Sequence, residues 1–248
     1  MNKFERFDQA QQKINKLDRD GFELNSEEML QEFKNRNSFG LDPDTKVHRI
    51  FQQDHYDHDV ANGYLTLPLA AADVWSDELE NPFRNVQGVD SVTGRTIEYG
   101  SLVSSFYALC WTDRALAEPS DWVEFSHGRK AVRISTTVGK IMDRMMRLND
   151  KGYMHRSWLV NVEYKEPTEI KAMKTSSTVL NHMESTGAML ATSATVVRTD
   201  YSHENEVRML MDDSIKPSIP GLRYSNNKQL VHIPFDWTGF SDNIEYSK

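Results

Sequence analysis

Short segments rich in β-branched and aromatic residues recur from Lys46 onward, and this recurrence most constrains the fold. They read KVHRIF, GYLTLPL, LVSSFYALCWT, KAVRISTT, SWLVNVEYK, ATSATVVRT, NEVRMLM and QLVHIPF, a composition typical of β-strands. Helical patterns interrupt them in TVGKIMDRMMRLND and STVLNHMESTGAML. Because strands and helices do not alternate regularly, the sequence predicts a mixed α+β fold with mostly antiparallel strands, not a doubly wound parallel sheet.

The first 39 residues have a different pattern. Phe4, Phe7, Ile14 and Leu17 recur at helical spacing, and Asn25 or Ser26 can cap a second helix over EEMLQEFKNRN. The segment SFGLDPDT then combines a glycine and a proline, which favours a boundary. The sequence therefore predicts a helical N-terminal extension over residues 1–44 and a main domain over residues 45–248.

Composition excludes several classes of protein. Of 248 residues, 38% are hydrophobic and 27% charged, as in folded rather than disordered chains. Apolar runs such as LTLPLAAADVW are well short of the roughly 18 residues of a membrane span. The charged N-terminus has no apolar segment of the kind that secretory signals contain. We therefore expect no membrane span and a cytoplasmic location.

Charge and cysteine content limit the partners and the redox chemistry. The net charge of −8 argues against a surface that coats nucleic acid. Lys and Arg do cluster between residues 127 and 156, either as a contact for a polyanion or as an ordinary solvated helix face. The single cysteine, Cys110, excludes an internal disulfide and is expected in the core.

Two glutamates stand one residue apart in YSHENEVRML. On a strand, Glu204, Glu206 and Arg208 would share one face, while Val207, Met209 and Met211 would face the core. The carboxylates are either solvated charges of an edge strand or a pair in which one acid is held while the other reacts. This pattern alone leaves both interpretations open.

Two further motifs precede these glutamates in the chain. Arg49 lies in the early segment KVHRIF, and Ser135, Thr136 and Thr137 end the segment KAVRISTT. In this order the set resembles the Arg, Ser-Thr-Ser, Glu-x-Glu pattern of the arginine-serine-glutamate class of ADP-ribosyltransferases. The wider series of HRIF, GYLTLP…VWSDELENPF, YALCWTDRA…SDWVEFS, VRIST and YSHENEVRML, over residues 46–212, is similar to a widespread bacterial family of unassigned function. That family often occurs near phage-defence and toxin genes.

This resemblance implies a fold, a reaction and partners. The fold would be an ADP-ribosyltransferase-like split β-sandwich with flanking helices. The activity would be mono-ADP-ribosyl transfer from NAD, without a metal, to a macromolecular target such as RNA, DNA or a protein, by a toxin or phage-defence effector. An antitoxin protein is a further implied partner, and the N-terminal helices would bind it or control access to the site.

The resemblance also implies roles for individual residues. Glu206 would stabilise the oxocarbenium ion of the ribose, and Glu204 would activate the acceptor. Arg49 would bind the pyrophosphate or ribose of NAD, and Ser135 would orient Glu206 by a hydrogen bond. Thr136 or Thr137 would support the nicotinamide pocket, and Tyr201 would stack on the target.

The chain departs from the transferase pattern at several positions. Ile50 follows Arg49 where many members have a small residue, and Thr137 replaces the third serine. The helix after the triplet supplies Met142 and Met145 in place of an aromatic residue. The residue that stacks on nicotinamide is therefore open, and the aromatic candidates are Trp75, Trp111, Trp122 and Tyr153. NAD glycohydrolysis and a catalytically inert binding protein of the same fold are the alternative functions.

Two other polar clusters have simpler interpretations. DHYDHD at residues 54–59 contains residue types that bind metals, yet a solvated helix or loop explains it. WSDELENPF contains Asp77, Glu78 and Glu80, oxygen ligands for a divalent ion, or a capped turn before Pro82. The sequence contains neither a G-x-G-x-x-G nor a P-loop motif, so a bound nucleotide would need another kind of phosphate site.

Overall fold

A computed structural model describes residues 2–70, 75, 77, 79–147, 156–214 and 221–247. The helices are α1 (Lys3–Arg19), α2 (Glu27–Asn37), α3 (Gln53–Asn62), α4 (Pro119–Ser126), α5 (Val138–Met145), α6 (Pro167–Met173), α7 (Ser176–Asn181) and α8 (Ala188–Ser193), with 3₁₀ turns at Tyr99–Leu102 and Thr199–Glu204. The strands are β1 (Lys46–Gln52), β2 (Tyr64–Pro68), β3 (Gln87–Val89), β4 (Thr96–Glu98), β5 (Phe106–Thr112), β6 (Ala131–Thr137), β7 (Ser157–Asn161), β8 (Glu163–Lys165), β9 (Val196–Arg198), β10 (Glu206–Asp212), β11 (Arg223–Ser225), β12 (Leu230–Pro234) and β13 (Asn243–Tyr246). These elements confirm the predicted α+β class.

The central element is a six-stranded sheet in the order β13-β6-β1-β5-β10-β7. Its strand pairs are all antiparallel. Val207, Met209 and Met211 of β10 are buried on one face, as their alternation predicts, against the three-stranded sheet β11-β12-β2. The opposite face buries a second apolar cluster, which includes Ala108, Val160 and the helical residue Ala191. The sheet is therefore covered on both faces along much of its width.

The sheet is nearly divided between β1 and β5. In the described chain these two strands pair at a single position, His48 with Thr112, whereas β1 pairs with β6 along its whole length. Next to that position Arg49 Nη1 donates a hydrogen bond to the Cys110 carbonyl oxygen. The Arg49 side chain thus bonds to a backbone group that a continuous ladder would engage. Beyond the single pair the two halves of the sheet separate.

The N-terminal helices contribute to the same apolar clusters as the sheet. Ile14, Met29 and Phe33 pack into the first cluster, and Phe7 packs into the second. Ser26 caps α2 by accepting a hydrogen bond from the Met29 backbone N–H at 3.2 Å. A separate helical extension over residues 1–44 stays a prediction, but several of its apolar residues are buried in the same clusters as those of the main domain.

Several elements differ from the sequence-based expectations. The pattern over residues 177–190 forms two short helices rather than one, because Gly187 begins α8 with φ of 74°. SWLVNVEYK forms two strands, β7 and β8, and ATSATVVRT contains the end of α8 before β9. The C-terminal residues Asn243–Tyr246 form an edge strand on β6. Among the helices described, none has the length and apolar character to cross a membrane.

Candidate functional site

A cleft lies where β1 and β5 separate, with about 520 Å³ of empty space, part of which is open solvent. Its lining residues are His48, Arg49, Ile50, Cys110, Trp111, Thr112, Arg114, Leu116, Ala117, Asp121, Phe125, Arg133, Glu204 and Glu206. The cleft therefore brings together three of the predicted site residues, Arg49, Glu204 and Glu206.

Glu206 and Arg208 form a buried, two-pronged ion pair. Arg208 Nε donates to Glu206 Oε1 at 2.6 Å, and Nη2 donates to Oε2 at 2.8 Å. Glu206 is 5% exposed and Arg208 is 2% exposed. The side chains lie two residues apart on one face of β10, so the pairing follows from strand geometry. These two hydrogen bonds fix the orientation of the Glu206 carboxylate.

Three other groups hold Arg208 in place. Its Nη1 donates to the Ala194 carbonyl oxygen at 2.6 Å and lies 3.6 Å from Glu80 Oε2. The guanidinium carbon lies 4.4 Å from the centre of the Trp75 ring, a cation–π contact. Trp75, one of the candidates for nicotinamide stacking, is thus occupied by Arg208. Glu206 and Arg208 do have the spacing of neighbours on one strand face, but this spacing was not used to predict that Arg208 holds Glu206.

Glu204 reaches the cleft by a different route from the one expected. It ends a 3₁₀ turn, and Asn205 adopts a left-handed conformation with φ of 45° before β10 begins at Glu206. The prediction that Glu204 and Glu206 share one face of a strand is therefore wrong. Thr112 Oγ1 donates to the Glu204 carbonyl oxygen at 2.5 Å, and this contact fixes the turn against β5.

The two carboxyl groups have different surroundings. Burial, followed by the charges of Glu206 and Glu124, raises the pKa of Glu204 to about 7. Glu206 instead faces the guanidinium of Arg208. One carboxylate is thus held in an ion pair, while the other exchanges a proton near neutral pH. Such a separation is typical of sites in which two acids have different tasks.

Arg49 presents an unsatisfied donor beside these carboxyl groups. Its Nη1 binds the Cys110 carbonyl oxygen, but its buried Nε has no hydrogen-bond partner among the described residues. Burial lowers the pKa of Arg49, and Cys110 and Glu206 oppose that shift. Buried polar groups without partners are uncommon in folded proteins. The Nε group is therefore suited to an acceptor atom supplied by a ligand.

The hydrogen bond expected from Ser135 to Glu206 is not formed. One row of paired residues crosses four neighbouring strands and contains Ser135, His48, Thr112 and Glu206. At ordinary strand spacing, the Cα atoms of Ser135 and Glu206 are therefore about 14 Å apart. The Ser135 hydroxyl lies 2.7 Å from His48 Nδ1 instead. Burial, followed by Arg133, lowers the pKa of His48 to about 4, so this cleft-lining imidazole is neutral at pH 7. Arg208, not Ser135, orients Glu206.

The other predicted residues have structural contacts outside the cleft. Thr136 faces the opposite side of the sheet and donates from Oγ1 to the Phe240 carbonyl oxygen at 2.8 Å. Thr137 caps α5 by accepting from the Lys140 backbone N–H at 3.2 Å. The Tyr201 hydroxyl accepts from Arg198 Nη2 at 2.9 Å. None of these three is among the cleft-lining residues found in the described chain.

Cys110 lines the cleft and is half-buried, in place of the core position expected for it. Burial and the neighbouring Glu206 raise the pKa of its thiol. Because the thiolate is the reactive form of cysteine, Cys110 is a neighbour of the carboxylate rather than a nucleophile.

The remaining aromatic candidates differ in position. Trp111 is 2% exposed and packs edge-on against Phe51 and Phe240 in the core. Trp122 is half-buried on α4, and Tyr153 lies outside the described residues. Phe125, which the sequence interpretation did not select, is 41% exposed and lines the cleft. Phe125 is therefore an aromatic ring of the cleft that is accessible enough to stack on a ligand.

The polar clusters considered for metal binding have other contacts. Asp59 of the DHYDHD segment accepts from the backbone N–H and hydroxyl of Thr66 at 2.8 and 2.6 Å. Asp77 pairs with Arg198 at 2.7 Å, and Glu78 lies outside the described residues. Among the residues that are described, no group of three or more His, Cys, Asp or Glu is arranged to hold a metal ion.

The fold and the cleft define a mixed α+β protein with a buried glutamate–arginine pair at a divided sheet. No protein-family model, curated protein or solved structure matches the chain.

Proposed function

We propose that the protein is a mono-ADP-ribosyltransferase, which transfers ADP-ribose from NAD to a macromolecular acceptor. The observation that carries this proposal is the shared cleft of Arg49, Glu204 and Glu206. It contains one carboxylate held by Arg208 and one carboxyl group whose pKa is raised to about 7. This arrangement suits a reaction in which a glycosidic bond breaks and a nucleophile must lose a proton.

Glu206 would act on the ribose. Breaking the nicotinamide–ribose bond develops positive charge on the ribose ring, and a fixed carboxylate stabilises that charge without reorganising. Both oxygens of Glu206 already accept from Arg208. Each carboxylate oxygen has capacity for a second hydrogen bond, so the ribose 2′-hydroxyl can still donate to it.

Glu204 would act on the acceptor. A general base works best when its pKa lies near the operating pH, and the pKa of Glu204 is raised to about 7. The carboxylate would take the proton of an acceptor hydroxyl or amine as that group attacks the ribose C1′ atom. Nicotinamide leaves with the electron pair of the broken C–N bond.

Arg49 would bind the diphosphate or ribose of NAD. Its Nε is a buried donor without a partner in the described chain, and guanidinium groups match phosphate oxygens in geometry and charge. Ser135 is retained with a changed role, because its hydroxyl contacts His48, which lines the cleft. Thr136, Thr137 and Tyr201 have no part in the reaction as we now propose it.

The sheet supports the proposal at the level of architecture. The fold that the resemblance implies is a split β-sandwich. Here the halves β13-β6-β1 and β5-β10-β7 meet at the single pair His48–Thr112, with the cleft at the division. The assignment to a toxin or phage-defence effector, with an antitoxin as partner, rests on the sequence resemblance.

NAD glycohydrolysis is the second candidate, favoured by the fixed carboxylate of Glu206. This carboxylate would stabilise the same charge on the ribose when water replaces the acceptor, and Glu204 would be needed less. Incubating the protein with NAD labelled in the adenylate separates these functions. Nicotinamide release with free labelled ADP-ribose indicates hydrolysis, whereas label on nucleic acid or protein from a lysate indicates transfer.

Substitution at the glutamates tests the site. Glu206→Gln is expected to reduce nicotinamide release at least 100-fold, a loss in the range seen when one charge-stabilising group is removed. Glu204→Gln is expected to reduce transfer more than hydrolysis. Glu28→Gln, an exposed change on α2, is the control and leaves both rates unchanged. Absence of NAD turnover in the unmodified protein, with and without lysate, contradicts both enzymatic functions and favours an inert binding protein.

A further inference from the structure

A second, open groove lies beside the cleft, with about 1,250 Å³ of empty space that includes open solvent. Its lining includes Trp122 and Val123 of α4, Arg129 and Lys130 before β6, and Tyr246 of β13. We call it the aromatic–basic groove. Because β13 is the outer strand of the six-stranded sheet, the groove runs along the sheet edge.

The groove exposes flat apolar surface. Tyr246 is 57% exposed and Val123 is 65% exposed, and Trp122 is half-buried. Aromatic side chains in an open groove can stack on nucleobases, and such stacking tolerates any base because every base has a π face. The two rings lie on separate elements, α4 and β13, so they line the groove from two sides.

The groove also carries exposed positive charge. Arg129 keeps 63% of its side chain exposed and forms a long, solvent-exposed ion pair with Asp54 at 4.0 Å, and Lys130 is exposed. The acidic residue of the lining, Glu245, is 3.4 Å from Arg133 Nη1 and accepts from Asn243 at 2.9 Å. Glu245 and Arg129 are thus each paired with one opposite charge, while the exposed Lys130 adds a further positive charge at the groove.

The groove adjoins the cleft that contains Glu204. Ala117 lines both cavities. The loop before α4 that carries Ala117 is held by Arg133, whose Nη2 donates to the carbonyl oxygens of Arg114 and Ala115 at 2.9 and 3.0 Å. A chain lying in the groove would thus pass the wall of the cleft, which Glu204 also lines.

We propose that the aromatic–basic groove binds single-stranded nucleic acid, which is the acceptor of the cleft. Exposed aromatic rings and adjacent cations are the two features by which proteins hold unpaired strands without reading their sequence. The bases of a duplex are stacked on each other and are not available to Trp122 and Tyr246. The acceptor role rests on the proposed function, whereas binding in the groove does not.

Binding is tested with fluorescein-labelled 12-nucleotide single strands of DNA and RNA and with the matching DNA duplex, by fluorescence anisotropy at 50 and 200 mM salt. We expect both single strands to bind more tightly than the duplex, with affinity falling as salt rises. Trp122→Ala is expected to weaken single-strand binding roughly tenfold, because it removes one stacking platform, and Trp122→Phe to restore most of it.

Charge reversal is the second arm. Arg129→Glu with Lys130→Glu is expected to weaken binding by more than tenfold and to reduce the slope of log affinity against log salt by about 1.4, as for two lost phosphate contacts. The matched control, Arg95→Glu with Lys171→Glu, reverses two exposed charges elsewhere and is expected to have little effect. Nicotinamide release without acceptor is expected to stay unchanged in all these variants.

Three results would overturn the proposal. They are equal binding of duplex and single strand, binding that is insensitive to Trp122→Ala and Arg129→Glu/Lys130→Glu, and no binding at 50 mM salt. In the last case, salt-insensitive binding of a purified protein acceptor would assign the open edge of β13 to an extended peptide. Groove binding with no NAD turnover would leave the groove assigned and refute the transferase, so the two proposals fail separately.

Discussion

Arg208 and Glu206 occupy alternate positions of one strand, and the guanidinium engages both oxygens of the carboxylate at 2.6 and 2.8 Å. The pair is almost inaccessible to solvent. A buried ion pair contributes little net stability compared with apolar residues of the same size, but loss of one partner leaves an uncompensated buried charge. The main effect of the pair is therefore to orient the Glu206 carboxylate at the cleft, rather than to stabilise the fold.

This relationship predicts a specific pattern of stability. Arg208→Met is expected to lower the free energy of unfolding by about 3–5 kcal/mol, because it leaves the Glu206 carboxylate buried without its partner. The double variant Arg208→Met/Glu206→Gln is expected to recover a substantial part of that loss. Urea denaturation at pH 7 measures both. Lys16→Met, which removes a surface pair with Asp20 at 3.7 Å, is the control and costs about 1 kcal/mol or less. Equal losses in the single and double Arg208 variants would contradict the pairing.

The raised pKa of Glu204 predicts how transfer depends on pH. Because Glu204 must be deprotonated to act as a base, transfer is expected to increase as pH rises through about 7 and to level off above it. Glu204→Gln should remove this step from the pH profile of kcat/KM, which is measured with labelled NAD between pH 5 and 9. A profile with the same step in both proteins would assign the ionisation to another group.

The same carboxyl group predicts a change in stability with pH. Its pKa is raised from 4.5 to about 7 in the folded protein, so the folded state binds the proton more tightly than the unfolded state. The contribution of Glu204 to stability is therefore present below about pH 4.5 and is lost as pH rises towards about 7. Comparing the unfolding free energies of the unmodified protein and Glu204→Gln from pH 4.5 to 8 checks the sign. If the difference between the two proteins does not change over this range, the shift is absent.

The hydroxyl triplet predicts different effects at adjacent positions. Thr137 caps α5, so Thr137→Ala is expected to cost about 1 kcal/mol of unfolding free energy and to leave NAD turnover unchanged. Ser135→Ala removes the partner of His48 Nδ1 and is expected to lower turnover moderately, because His48 lines the cleft. Thermal denaturation and nicotinamide release separate the two variants. Loss of turnover in Thr137→Ala at unchanged stability would restore Thr137 to the site.

Local patterns in the sequence were sufficient for the class of fold. Alternation of apolar residues over NEVRMLM predicts the buried face of β10, and the structure confirms it. The resemblance implies one site for Arg49, Glu204 and Glu206, and all three line the same cleft, but their roles in a reaction stay predictions. These features depend on residues close in sequence, or on motifs whose order is visible in the chain.

The remainder depends on contacts that no local pattern reveals. At the division of the sheet, Arg49 binds the carbonyl oxygen of Cys110, which is 61 residues away in sequence. The position of Glu204 depends on the left-handed conformation of Asn205. The sequence predicted a continuous strand here and did not predict this turn. The distance between Ser135 and Glu206 depends on the strand order β6-β1-β5-β10. The sequence motif does not contain the strand order, so the resemblance implied a direct contact that is not formed.

A polar network on the three-stranded sheet predicts a loss of stability far from the cleft. The Thr66 hydroxyl donates to Asp59 Oδ1 at 2.6 Å and lies 2.8 Å from His232 Nδ1. Asp59 is 4% exposed, so removing a donor leaves a buried carboxylate oxygen unsatisfied. Thr66→Val is therefore expected to lower the free energy of unfolding by about 1–3 kcal/mol.

The matched control for this network is Thr66→Ser, which keeps the hydroxyl and removes a methyl group. It is expected to retain most of the stability, because the donor to Asp59 is preserved. Burial raises the pKa of Asp59, and the hydrogen bonds from Thr66 oppose that rise. Thr66→Val should therefore raise the pKa of Asp59 further, which a carboxyl titration by NMR measures. If Thr66→Val and Thr66→Ser are equally stable, the hydroxyl does not support the sheet, and Asp59 is satisfied by the Thr66 backbone N–H at 2.8 Å.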